Sequence, residues 1–193
     1  HYYGTVPTEF VYKGKTYTPR TYSDQYLGLN PGDYLEITSY THHPFYTRFV
    51  LEDKYNWTGD AYWNVTLDDF VSITNHALDN GFTVGWDGDA DDPDFHYNEG
   101  YASLKNPPLG DQQKARQQAF DSQATLLDHM MHIVGRVRQN GKIWYYVKNS
   151  WGKTSNSTGG LLYMREDYYN MRTVAMIVHK DAIPAPIRKK MGI

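Results

Sequence analysis

The 193-residue chain contains no cysteine, which removes disulfides, thiolate metal sites and any cysteine nucleophile supplied from within these residues. It also lacks an apolar run near the ~20 residues that a helical membrane span needs. Its opening stretch, HYYGTVPTEF, has none of the charged, apolar and small-residue sections of a secretory leader. Neither sign of charge dominates: 19 Lys and Arg against 22 Asp and Glu leave a formal net charge of −3. No broad basic face for nucleic acid or anionic lipid is therefore implied, and neither a nucleic acid nor a membrane is expected as a partner. Nucleotide-binding glycine motifs, internal repeats and low-complexity tracts are missing as well.

What the chain has in quantity is aromatic side chains: 18 Tyr, 7 Phe and 5 Trp, or 16% of all residues. Tyrosine favours strands and half-wet clefts. With 16 Gly and 9 Pro as punctuation, this composition predicts many short elements in a strand-rich α+β fold.

Residues 1–32 read as a turn-rich, extended lead-in with one hairpin around Gly14. A domain over 33–183 follows, with strands at Asp33–Tyr40 and after the Pro44 turn. Leu67, Phe70, Val71, Ile73, Ala77 and Leu78 recur at helical spacing, with Thr66 as cap and Asn80-Gly81 as stop. A strand at Phe82–Trp86 runs into an acidic loop, Asp87 to Asp94, and Gln112–Phe120 reads as a second helix. The last third is expected to be β: a hairpin of His129–Val137 and Lys142–Lys148 turning at Asn140-Gly141, then Leu161–Met164, a short helix near Arg165–Met171, and Thr173–His179. The Pro-interrupted, basic residues 184–193 are expected to lie extended on the surface.

Strand alternation puts His129, Met131 and Ile133 on one face of the hairpin and Met130, His132 and Val134 on the other. The returning strand ends in Asn149, followed by Ser150, Trp151 and Gly152. A histidine oriented by a side-chain amide is the general-base half of a nucleophilic site, because the amide fixes tautomer and ring plane and leaves the other nitrogen free. An indole two residues on can shelter the His to Asn bond from water. From spacing alone a structural histidine in a hairpin is the commoner arrangement.

Asp128-His129 with Val134-Gly135, followed by Lys148-Asn149-Ser150-Trp151-Gly152, resembles the histidine and asparagine motifs of papain-type cysteine peptidases. The stretches LNPGDYLEITSYTHHPFY at 29–46, DNGFTVGWDGD at 79–89 and VHKDAIP at 178–184 are similar to the bleomycin hydrolase and aminopeptidase C branch. The resemblance covers most of the chain. It implies a papain-like fold, of which this chain is the C-terminal β-rich, barrel-like half with a few helices. It also implies that His129 is catalytic, that Asn149 orients it, that Trp151 shields the pair with Asp128 as further support, and that no cofactor is needed.

In such enzymes the cysteine lies ~130–150 residues before the other two motifs, and only 128 residues precede His129 here. The expectation is therefore a C-terminal part of a longer aminopeptidase that is inactive by itself. Its partners would be a peptide substrate and the Cys-bearing N-terminal half. The family further suggests a hexameric homo-oligomeric ring and a cytoplasmic location, with export left open. It also uses its C-terminal residues to hold the substrate's amino group, and in Arg188-Lys189-Lys190-Met191-Gly192-Ile193 the Ile193 carboxylate is the group suited to that.

No metal site is expected. Asp87-Gly88-Asp89-Ala90-Asp91-Asp92 departs from a calcium loop at its sixth position, Asp92, and at its twelfth, Asn98. His42-His43 has no third ligand at a recognisable spacing. Two other readings stand beside the peptidase fragment: an inactive homologue acting as a binding or scaffold protein, and a carbohydrate-binding β domain built on aromatic platforms.

Overall fold

The computed structural model describes residues 4–193, in two units that divide after Tyr34. In the first unit, β1 (Phe10–Tyr12) and β2 (Lys15–Tyr17) form the antiparallel hairpin expected around Gly14. Lys13 and Gly14 both have positive φ, as a tight two-residue turn requires. Thr18 then caps α1 (Pro19–Thr21), which continues as a π-helical turn over Tyr22–Leu27. This helical stretch replaces part of the extended lead-in that the sequence predicts. Its apolar surface is a cluster of tyrosines, with Tyr22 and Tyr26 stacked at 4.9 Å one helical turn apart, and that pattern does not look like a core-facing stripe in sequence.

The second unit carries ten strands: β3 (Tyr34–Thr38), β4 (Arg48–Val50), β5 (Ala61–Asn64), β6 (Val84–Gly88), β7 (Phe95–His96), β8 (Tyr101–Ala102), β9 (His129–Gln139), β10 (Lys142–Lys148), β11 (Leu161–Arg165) and β12 (Thr173–His179). They lie in the order β4-β5-β3-β12-β6-β9-β10-β11-β8-β7. β9, β10 and β11 form an antiparallel meander, and β6 is held between β9 and β12, antiparallel to both. The turn from β9 to β10 has Asn140 and Gly141 at positive φ, as the Asn-Gly pair predicts.

Four helices pack on this framework: α2 (Leu67–Asp79), α3 (Gln112–Asp121), α4 (Glu166–Arg172) and α5 (Ala185–Met191). Thr66 caps α2 by accepting from the Asp69 amide, and Phe70, Ile73 and Ala77 of its inner face are fully buried with Trp86, Ile133, Tyr145, Tyr168 and Tyr169.

Two expectations are corrected, and three short strands were not foreseen. Residues 184–193 are not extended: Pro186 sits in the first turn of α5, where its missing amide costs nothing, and Ile187 and Met191 bury one helical turn apart. The strand expected at Phe82–Trp86 lies two residues further on, at Val84–Gly88, so Asp87 and Gly88 belong to β6, because paired strands flank them on both sides. The short strands β5, β7 and β8 had no alternating pattern long enough to announce them.

Candidate active site

His129 opens β9 and pairs with Gly88 of β6, and the Asp128 amide donates to the Gly88 carbonyl at 3.2 Å. The expected alternation holds along β9, with Met131 and Ile133 buried, Met130, His132 and Val134 exposed, and His129 half-buried. Asn149 follows the last residue of β10, and its own amide donates to the Gly160 carbonyl at 3.0 Å. Two adjacent strands thus deliver the imidazole and the amide side by side at the open end of one hairpin.

The His129 Nε2–H donates to Asn149 Oδ1 at 2.9 Å. The Ser150 backbone amide donates to the same oxygen at 2.7 Å, and since a backbone N–H can only donate, the atom facing both groups is the amide oxygen. The proton of the neutral ring is therefore on Nε2, and Nδ1 is the basic nitrogen. Asn149 is only 4% exposed, so its bond to His129 forms where water competes little. The Trp151 ring lies 4.8 Å from the His129 ring, tilted by 38°, and Tyr97 meets the indole edge-on at 4.8 Å. The Tyr97 hydroxyl in turn bonds to Ser155 in the loop after β10. Trp151 is itself 53% exposed, covering the pair from one side with its outer face free.

Asp128 makes no hydrogen bond to the imidazole. Its Oδ1 accepts from the Ala90 amide at 2.9 Å, tying the start of β9 to the loop after β6. Ile193 lies beyond α5, about half exposed, with its amide donating to the Arg188 carbonyl. It is not among the residues around His129. His132 bonds to the Thr83 hydroxyl at 2.7 Å on the far face.

Beside His129 opens a cavity of about 350 Å³ lined by Glu36, Asp60, Tyr62, Asp87, Asp128 and Met130 among others, with no Lys or Arg in its wall. Burial, with the nearby carboxylates of Asp53, Asp128 and Glu36 adding to it, pushes Asp87 up to about 7. Burial likewise raises Glu36, helped by Asp60 and opposed by Arg48. It raises Asp128 too, against the hydrogen bond from Ala90. Carboxylates crowded in this way favour a cationic guest, which relieves both desolvation and mutual repulsion. Sequence reasoning missed this wall, because Glu36, Asp60 and Asp87 come from three separate strands or loops and only the sheet order gathers them. A larger cleft of about 610 Å³ at the start of α2 has Asp68 and Asp111 as its only titratable lining, so it holds no nucleophile and base pair.

The model of the peptidase C1-like family matches residues 8–192. No curated protein matches the chain. Among solved structures, PepW from Lactobacillus rhamnosis is similar over 96% of this chain with a TM-score of 0.70 at 19% identity. This chain covers 46% of PepW, so it spans about half the length of that relative. The digestive procathepsin L2 proteinase from the larval midgut of Tenebrio molitor matches 58% of this chain and 31% of its own length, at 24% identity and a TM-score of 0.37.

Proposed function

Because the chain belongs to the peptidase C1-like family and has its papain-like α+β fold, we propose that it is the histidine- and asparagine-bearing part of a cysteine aminopeptidase. The observation that carries this reading is the His129 Nε2 to Asn149 Oδ1 bond, buried at the asparagine and covered by Trp151. It leaves Nδ1 as the base that faces a nucleophile. No cysteine lies within these residues, so the thiol comes from another part of the same enzyme. In the assembled site a thiolate pairs with protonated His129. The sulfur attacks the peptide carbonyl carbon, the C–N bond breaks as His129 gives its Nδ1 proton to the leaving amine, and a thioester remains. Water then attacks the thioester with His129 taking its proton, which releases the acid and restores the thiolate.

The acidic cavity beside His129 supports the amino-terminal preference. A substrate's free ammonium placed there meets Asp87, Asp128, Glu36 and Asp60, a stronger anion set than the Ile193 carboxylate.

The test uses the chain joined to its Cys-bearing segment and a fluorogenic aminoacyl amide. His129→Ala is expected to lower kcat by ~10⁴-fold or more, and Asn149→Ala by roughly 10²-fold, because the base stays but its orientation is lost. Turnover that survives His129→Ala overturns the peptidase assignment. Capping the substrate amine with an acetyl group is expected to remove most of kcat/KM. Equal turnover of capped and free substrates overturns the aminopeptidase reading and leaves a peptidase.

A further inference from the structure

His42 and His43 lie in the bend after β3, and Glu52 lies just past β4. The chain doubles back through Pro44–Thr47, so the three side chains converge although ten residues separate the first from the last. His42 Nε2 stands 3.0 Å from Glu52 Oε2, and His43 Nε2 stands 2.6 Å from Glu52 Oε1. All three ligand atoms lie within 4.8 Å of one another. We propose that His42, His43 and Glu52 form a binding site for one zinc-type divalent cation, with the remaining coordination positions open to solvent.

Both imidazoles are held before any ion arrives. His43 stacks on Phe49 at 4.2 Å, while His42 meets Phe49 edge-on at 5.3 Å and stacks on Phe120 at 5.7 Å. Phe49 is buried, so these rings rest on the core. The second nitrogen of His42, Nδ1, faces the side-chain amide of Gln117, with the amide oxygen at 3.3 Å and the nitrogen at 3.0 Å. Gln117 is 7% exposed and is itself fixed, accepting from the Thr41 amide at 2.5 Å and donating to Asp121 at 2.7 Å. With Nε2 bound to Glu52 and the Gln117 nitrogen donating to Nδ1, the ring carries its proton on Nε2. An ion replaces that proton, and the Gln117 oxygen 3.3 Å away is then the acceptor for an Nδ1–H, as behind a metal-binding histidine.

The ligand chemistry selects the ion. Two imidazoles and one carboxylate suit zinc and its neighbours, whereas calcium and magnesium prefer an all-oxygen set. Tetrahedral ligands at ~2.0–2.2 Å from zinc stand ~3.3–3.6 Å apart, and the Glu52 contacts at 2.6 and 3.0 Å are shorter than that spacing. Glu52 is more than half exposed, so its carboxylate can withdraw slightly to admit the ion.

The test is calorimetric titration of Zn²⁺ into the tag-free full chain after chelator treatment, with Co²⁺ absorption reporting the nitrogen and oxygen ligand field. One equivalent is expected to bind. His43→Ala and the near-isosteric Glu52→Gln should abolish that equivalent, Gln117→Ala should weaken it ~10- to 100-fold, and His132→Ala should leave it intact. Zn²⁺ should also raise the melting temperature of the parent chain and of His132→Ala but not of Glu52→Gln, which separates metal loss from misfolding. Absence of a stoichiometric Zn²⁺ equivalent overturns the site, and so does an equivalent that survives both His43→Ala and Glu52→Gln.

Discussion

Asn149 Oδ1 accepts two hydrogen bonds from groups of different mobility, the fixed Ser150 amide and the His129 ring. The backbone bond sets the amide plane, and the amide plane then sets the ring. The pairing of His129 with Asn149 beside Trp151 was legible through the family resemblance, whereas the Ser150 amide that fixes the asparagine was not. Asp87 was not legible, because nothing in an Asp-Gly-Asp run tells which carboxylate enters a sheet. Burial and the neighbouring carboxylates push it up from 3.8 to about 7. An acid raised in the native state keeps its proton over a range where the unfolded chain has lost it. Stability therefore falls as pH rises from about 4 toward 7, and the full penalty, up to ~4 kcal/mol, applies above that. Asp87→Asn removes the ionisation, so it is expected to stabilise the chain at pH 8 and to leave it little changed near pH 4. Urea unfolding at both values measures this, and a variant destabilised equally at both would contradict it.

At the scale of elements, β6 is the part on which the site stands. It pairs with β9 at His129 and with β12 on its other edge, so its distance from β12 sets where the imidazole sits. A Cβ on Gly88 would meet the Arg172 carbonyl oxygen at 2.2 Å and the Trp86 ring at 2.8 Å. Backbone and a buried indole cannot yield as a flexible side chain does. Gly88→Ala is expected to cost about 1–3 kcal/mol and to move the start of β9 away from Asn149. Gly135→Ala, whose Cβ would meet only Tyr146 at 3.9 Å, is expected to be near neutral and serves as the control in thermal unfolding. Periodicity announced α2, which is long enough to show a face, while Gln- and Ala-rich composition announced α3 and the Asn140-Gly141 turn announced the β9–β10 hairpin. Periodicity failed on β5, β7 and β8, which are too short, and on α5, where two prolines masked a helix that buries only Ile187 and Met191. The His42, His43 and Glu52 cluster escaped for a related reason: a bend, which has no period, brings its third member back.

For the molecule as a whole, the sheet order decides what no local pattern could. It sets β3, β5, β6 and β9 near enough for four carboxylates to wall one cavity at His129; on the proposed reading the nucleophile comes from outside these residues, which hold no cysteine. The chain spans 46% of PepW, and the proposed reading has its site shared with a Cys-bearing segment. Pairing across such a site has a measurable consequence on the partner's thiol. A free cysteine titrates near ~8.5, and a neighbouring imidazolium lowers that to ~3.5–7.5 because the charged pair is favoured over the neutral one. With the Cys-bearing segment present, the rate of alkylation by iodoacetamide is therefore expected to rise with a midpoint below pH 7.5. His129→Ala should move that midpoint up to about 8.5, and Asn149→Ala should move it less, since a misoriented imidazolium still carries its charge. The label should map entirely to the other segment, as this chain has no thiol to modify. A midpoint that stays in place after His129→Ala would mean that the cysteine draws its reactivity from some other group, and that the bond between His129 and Asn149 serves the hairpin alone.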